Sequence, residues 1–162
     1  MKSVLVYSSK YGFTEDIVKK IQSQVQGECV LINLRQPSDI KKLVKEADMI
    51  VVGGPIYIGG LLKEVKQFLM HHQTDLLQKR LGLFITGMHE HNEIEKELEI
   101  NFSEELRDHA QFVVWVGGEF NFDKLKFMDK MIVKKIAKTD ETKTVIMDDE
   151  INNIVNIINS TT

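Results

Sequence analysis

The chain has 162 residues, a formal net charge of −3, 43% hydrophobic and 28% charged residues. That size suits one ordinary core, and the charge balance excludes the basic footprint of a nucleic-acid binder. The single cysteine, Cys29, excludes an internal disulfide framework and a cysteine-only metal cage. No window reaches transmembrane length and the first residues lack a signal-peptide pattern. The expectation is one domain over residues 1–162, in the cytoplasm, with peripheral contact at the inner membrane face as one reading of residues 124–138.

In chain order, the first apolar run is Val4-Leu5-Val6-Tyr7. Its continuity predicts a strand buried on both faces. Ile17, Ile21 and Val25 then step by four behind Glu15 and Asp16, which predicts a helix with acids in its first turn. Cys29-Val30-Leu31-Ile32 and Met49-Ile50-Val51-Val52 read as the second and third strands. A helical stripe follows at Leu61, Leu62, Val65, Phe68 and Leu69, ending near His71 and His72. Leu81 to Ile85 is the fourth strand, Ile94, Leu98, Phe102 and Leu106 one helical stripe, and Phe112 to Val116 the fifth strand, with Trp115 in the core. Ile151, Ile154, Val155 and Ile158 predict a last helix. Strand–helix alternation repeated five times implies an α/β fold, a doubly wound parallel sheet in order 2-1-3-4-5, covered on both faces as an α/β/α sandwich. Ligands of such sheets bind beyond the carboxyl ends of the strands, at the switch between strands one and three.

The first of those loops reads Ser8-Ser9-Lys10-Tyr11-Gly12-Phe13-Thr14. Hydroxyls, one glycine and a helix start suit a phosphate dianion, which needs main-chain amides, a positive helix end and hydroxyl donors. The alternative is an ordinary cap, with Thr14 capping its own helix. There is no Gly-x-x-x-x-Gly-Lys-Ser/Thr and no Gly-x-Gly-x-x-Gly, which disfavours a P-loop nucleotidase and a dinucleotide site. Ser8, Ser9, Gly53 and Gly54 stand where a phosphate-accepting receiver domain needs carboxylates.

The loop after strand three, Gly53-Gly54-Pro55-Ile56-Tyr57-Ile58-Gly59-Gly60, reads as an apolar ledge on which a flat aromatic ligand can lie, with Tyr57 stacking. Thr86-Gly87-Met88-His89, after strand four, would close the opposite side. His89 and His91 lack a third ligand, so no metal site is expected.

Residues 8–14 resemble the FMN-phosphate loop of flavodoxins, Ser-x-Thr-Gly-x-Thr, with Ser9, Gly12 and Thr14 matching and Lys10 and Tyr11 departing. Residues 53–60 resemble the second flavin loop of the flavodoxin-domain branch that includes menaquinone-dependent protoporphyrinogen dehydrogenase. So does the C-terminal third, from Gly117-Gly118 through Asp129–Ile136 to the Lys138-Thr139-Asp140 turn. The resemblance implies FMN as sole cofactor, its phosphate held by Ser8 through Thr14. Pro55, Ile56, Tyr57, Ile58 and Gly59 would border the isoalloxazine with Thr86, Gly87, Met88 and His89. It also implies oxidation of a porphyrin precursor, with electrons passed to a quinone. Two features depart from that enzyme. Residues 88–111 are short and acidic, and Glu119-Phe120-Asn121-Phe122 replaces a basic aromatic stretch. The alternative is a flavodoxin that carries electrons to a redox partner protein and converts no substrate. No side chain stands out as a catalytic proton donor.

Residues 124–138 carry six lysines against Asp129, with Leu125, Met128, Ile132 and Ile136 at helical spacing. A basic amphipathic helix can lie on an anionic membrane. The other readings are a last-layer helix that packs Leu125, Met128, Ile132 and Ile136 on the sheet, and a homodimer contact.

Overall fold

The computed structural model describes residues 1–138 and 140–160. The expected turn at 138–140 includes Thr139 and so lies outside the described residues. Strands β1 (Lys2–Tyr7), β2 (Glu28–Asn33), β3 (Met49–Tyr57), β5 (Arg80–Thr86) and β6 (Phe112–Trp115) form one parallel sheet in order β2-β1-β3-β5-β6. This is the 2-1-3-4-5 order of the five sheet strands. The short β4 (Gly60–Leu61) folds back antiparallel on β3.

Alternate residues of each strand feed opposite faces. Val4 and Val6 pack into one core and Leu5 and Tyr7 into the other. The first core is covered by α2 (Ile40–Glu46), α3 (Lys63–Leu76), α4 (Ile94–Asn101) and α5 (Glu104–His109), through residues such as Val44, Val65, Phe68, Phe102 and Leu106. The second is covered by α1 (Phe13–Gln22) and α7 (Asp148–Asn159), through Ile17, Val18, Ile21, Ile151, Ile154 and Ile158. Phe84 is fully buried between β5 and that second layer. A strand with both faces covered must be apolar at every position, which is why these runs do not alternate.

Several elements differ from the sequence expectation. β3 runs on to Tyr57, so Gly53 and Gly54 lie within the strand. A Cβ at Gly53 would overlap the Phe84 ring and the Phe84 carbonyl. The acidic stripe is two helices, not one: Phe102 turns extended and Ser103 caps α5, its Oγ accepting from Leu106 N at 3.4 Å. His71 and His72 lie inside α3, which continues to Leu76. His72 stacks on Phe68, ring centroids 4.7 Å apart. An antiparallel pair, β7 (Gly117–Phe120) with β8 (Lys143–Ile146), departs from the main sheet after Val116. Gly117 makes that departure at φ +110, where any Cβ would strike the Val145 carbonyl.

Between β7 and β8 stands α6 (Phe127–Ala137). The expected packing of Met128 and Ile136 on the sheet does not occur; they are 69% and 73% exposed. Only Asp129 of this helix is buried. α6 is rich enough in apolar residues to cover a sheet face, but α1 and α7 already fill that layer.

Candidate functional site

A cleft opens at the carboxyl ends of β1, β3 and β5, where ligands of such sheets bind. The loop after β1 supplies Ser9, Lys10, Tyr11, Phe13 and Thr14. The end of β3 supplies Pro55, Ile56 and Tyr57, and the end of β5 supplies Thr86 and Gly87. Glu119 and Leu125 complete the lining from the β7–α6 segment.

The loop after β1 is shaped for an anion. Gly12 caps α1 at φ +95 and has no side chain to offer the first turn. The first helical bond is Asp16 N to Gly12 O at 3.0 Å. The amides of Phe13, Thr14 and Glu15 precede it and have no intrahelical acceptor. Thr14 is inside the helix, which removes the alternative in which it caps its own helix. Gly12 N donates to Ser9 Oγ at 3.1 Å, which closes the loop and leaves the Ser9 hydroxyl proton to another acceptor. Thr14 Oγ1 and Thr86 Oγ1 are 2.7 Å apart, so one proton bridges them and the second remains available.

Lys10 and Tyr11 turn elsewhere. The Tyr11 and Tyr57 hydroxyls both donate to the Asp129 carboxylate, and Lys10 Nζ pairs with it at 2.9 Å. Lys10 Nζ also sits 3.5 Å over the Tyr57 ring centroid, a cation–π contact on one ring face. Asp129 thus ties α6 across the cleft, joining the loop after β1 to the end of β3. Acidic and basic side chains neutralise each other there, and the open donors of the cleft are main-chain amides and hydroxyls.

The chemistry around β5 is held by glycines. Gly87 N donates to Gly117 O at 2.9 Å, and Trp115 Nε1 donates to Gly87 O at 2.7 Å. A Cβ at Gly118 would run into the Gly87 main chain. His89 and His91 present edges to buried Trp115 at 6.5 and 5.8 Å. Burial lowers the His89 pKa, and its Nε2 has no hydrogen-bond partner among the described residues. Among the described residues, no three His, Cys, Asp or Glu side chains are grouped to hold a metal ion.

The model of the flavodoxin domain family matches residues 4–146. This chain belongs to the flavodoxin domain family. The fold also matches a flavodoxin from the domain Archaea, at 18% identity and TM-score 0.53, over 99% of this chain and 100% of that one. It matches the NADH:FMN oxidoreductase EMOB in its apo form, at 15% identity and TM-score 0.56, over 100% and 92%. Rubredoxin oxygen:oxidoreductase from Desulfovibrio gigas matches at 20% identity and TM-score 0.56, over 97% of this chain and 36% of that chain. Against that longer protein, this chain spans about a third of the length. Among curated proteins none matches the sequence significantly.

Within this flavodoxin domain, six of the residues singled out from sequence stand outside the cleft lining. Ser8 is fully buried, and its Oγ has no partner among the described residues. Gly12 shapes the loop without lining the cleft. Met88 and His89 lie past the Gly87 clamp. Ile58 and Gly59 form the two-residue turn between β3 and β4, at φ 48 and 76. That left-handed pair is a hairpin turn in which glycine or asparagine is the usual first residue, and a β-branched side chain is strained. Asp129, Glu119 and Leu125 escaped the sequence reading of the site. Asp129 had one available signal: it is the lone acid among the lysines of 124–138.

Proposed function

We propose that this flavodoxin domain binds FMN in the cleft and works as a redox protein. The observation that carries the reading is the donor set after β1. Three first-turn amides, the Ser9 hydroxyl and the Thr14–Thr86 pair lie together there, the donors a phosphate dianion requires, and the one carboxylate of the cleft lining, Glu119, accepts from Thr144. FMN, when bound, supplies one- and two-electron chemistry. This chain would hold the phosphate through residues 9–15. It would border the ring with Pro55, Ile56 and Tyr57 on one side and Thr86 and Gly87 on the other. Tyr57, which lines the cleft, is the aromatic ring on which a flat ligand would stack. The Asp129 cluster would exclude water from that end of the cleft.

Purified protein is expected to be yellow and to quench added FMN fluorescence. The double change Ser9→Ala, Thr14→Ala removes two charge-assisted hydrogen bonds worth about 1.5–3 kcal/mol each, and should weaken FMN by at least about a hundredfold. Unchanged affinity would place the phosphate elsewhere.

The finer reading is quinone-linked oxidation of a porphyrin precursor such as protoporphyrinogen. Apolar Leu125 in the cleft lining supports it over a bare electron carrier. Anaerobic mixing with protoporphyrinogen and a menaquinone analogue should reduce the analogue catalytically. Electron exchange with redox proteins alone would assign the carrier role instead.

A further inference from the structure

We propose that α6 is a docking element for an anionic lipid bilayer, laid on the membrane by its outer face. Phe127, Met131, Lys134, Lys135 and Lys138 recur at i, i+4, i+7, i+8 and i+11 and so share one stripe. Phe127 and Met131 are 75% and 56% exposed, and neighbouring Met128 is 69% exposed. Lys134, Lys135 and Lys138 are exposed on the same stripe. The inner face carries Asp129, buried, with Ile132 and Val133 half-buried.

Charge decides the occupant. The one acid of residues 124–138 is spent inward on Lys10, Tyr11 and Tyr57, so the outward side of the helix is cationic. A second copy meeting this stripe about a two-fold axis would oppose lysine to lysine or set lysine against Phe127 and Met131, with no acid on the stripe to pair it. A bilayer with anionic headgroups satisfies both halves of the stripe. Phenylalanine and methionine enter the acyl boundary, and lysine stems extend up to the headgroups. The face is the convex side of a helix, which suits a deformable planar surface.

The position of the helix gives docking a consequence. Leu125, just before it, lines the cleft, and Asp129 is bonded to Lys10, Tyr11 and Tyr57, which also line it. A docked α6 would hold the cleft beside the bilayer surface, within reach of a lipid-dissolved electron acceptor. That consequence rests on the FMN reading, whereas the docking surface rests on exposure and charge alone.

The test is sedimentation of the full chain, without added flavin, with vesicles of phosphatidylcholine alone or mixed with phosphatidylglycerol. Binding is expected only to the mixed vesicles and should fall with salt. Lys134→Gln, Lys135→Gln should weaken it roughly 25-fold, about fivefold per lysine. Phe127→Ser, Met131→Ser should weaken it at least about tenfold. Both variants should keep the parent's far-UV circular dichroism and FMN titration. Three results would overturn the proposal: no binding to anionic vesicles, equal binding to neutral ones, or a concentration-dependent dimer abolished by the Phe127→Ser, Met131→Ser change. FMN titration is read separately, so failure of the flavin reading leaves the vesicle result interpretable.

Discussion

The floor of the cleft and its roof are built by opposite means. The floor stands on β1, β3 and β5, whose residues are almost all inaccessible and packed from both faces. The roof, α6, keeps one residue buried, Asp129, whose carboxylate ties it to the loop after β1 and the end of β3. Hydrophobic burial scales with area removed from water, so the floor carries the global stability and the roof is free to open locally. A rigid floor positions a ligand, and a loosely held roof admits it.

The largest expected effect separates the two regions directly. Phe84→Ala, in the floor, should cost about 3–5 kcal/mol, whereas Phe127→Ala, in the roof, should stay within about 0.5 kcal/mol; urea denaturation of both variants reads the contrast. A similar loss from Phe127→Ala would mean that the roof belongs to the core. Next comes Gly53→Ala, where the new methyl meets the Phe84 ring and carbonyl across two paired strands, with an expected cost of about 1–3 kcal/mol.

Asp129→Ala should act on the roof alone. The change removes the Lys10 pair and both tyrosine bonds, so trypsin cleavage after Lys130, Lys134 or Lys135 should rise at least about tenfold, with little change in the melting temperature. A large drop in melting temperature would make Asp129 part of the floor. Ile58→Asn, at the strained rim turn, should stabilise the fold by about 1 kcal/mol in the same denaturation assay.

The smallest effect is in pH. Burial depresses the folded pKa of His89, so the unfolded chain binds its proton more readily. The resulting stability is present above the ordinary histidine value and is lost as pH falls through the folded value. His89→Gln should flatten that part of the stability–pH curve below about pH 7. An unchanged slope would assign it to another group.

The contrast of floor and roof also marks where sequence reasoning succeeds. Val4–Tyr7 and Met49–Val52 were legible as strands because two-sided burial leaves no polar position in them. Ser9, Gly12 and Thr14 were legible because a phosphate turn is made by consecutive residues. Asp129 was not legible as a site residue, since its partners Tyr57 and Tyr11 are 72 and 118 positions away. Nor was the exposure of Met128, because a helical stripe looks the same whether or not another layer remains to receive it. The break between α4 and α5 at Phe102 was hidden by a stripe that stays in phase across it.

By itself, then, the sequence determined the strand–helix alternation, the parallel sheet and the local turn after β1, all set by periodicity and neighbouring residues. Tertiary structure decided what covers what. It gave the second layer to α1 and α7, left α6 outside, and brought Asp129 to Lys10, Tyr11 and Tyr57. Those outcomes depend on competition among distant segments for a limited buried surface, which no local pattern encodes.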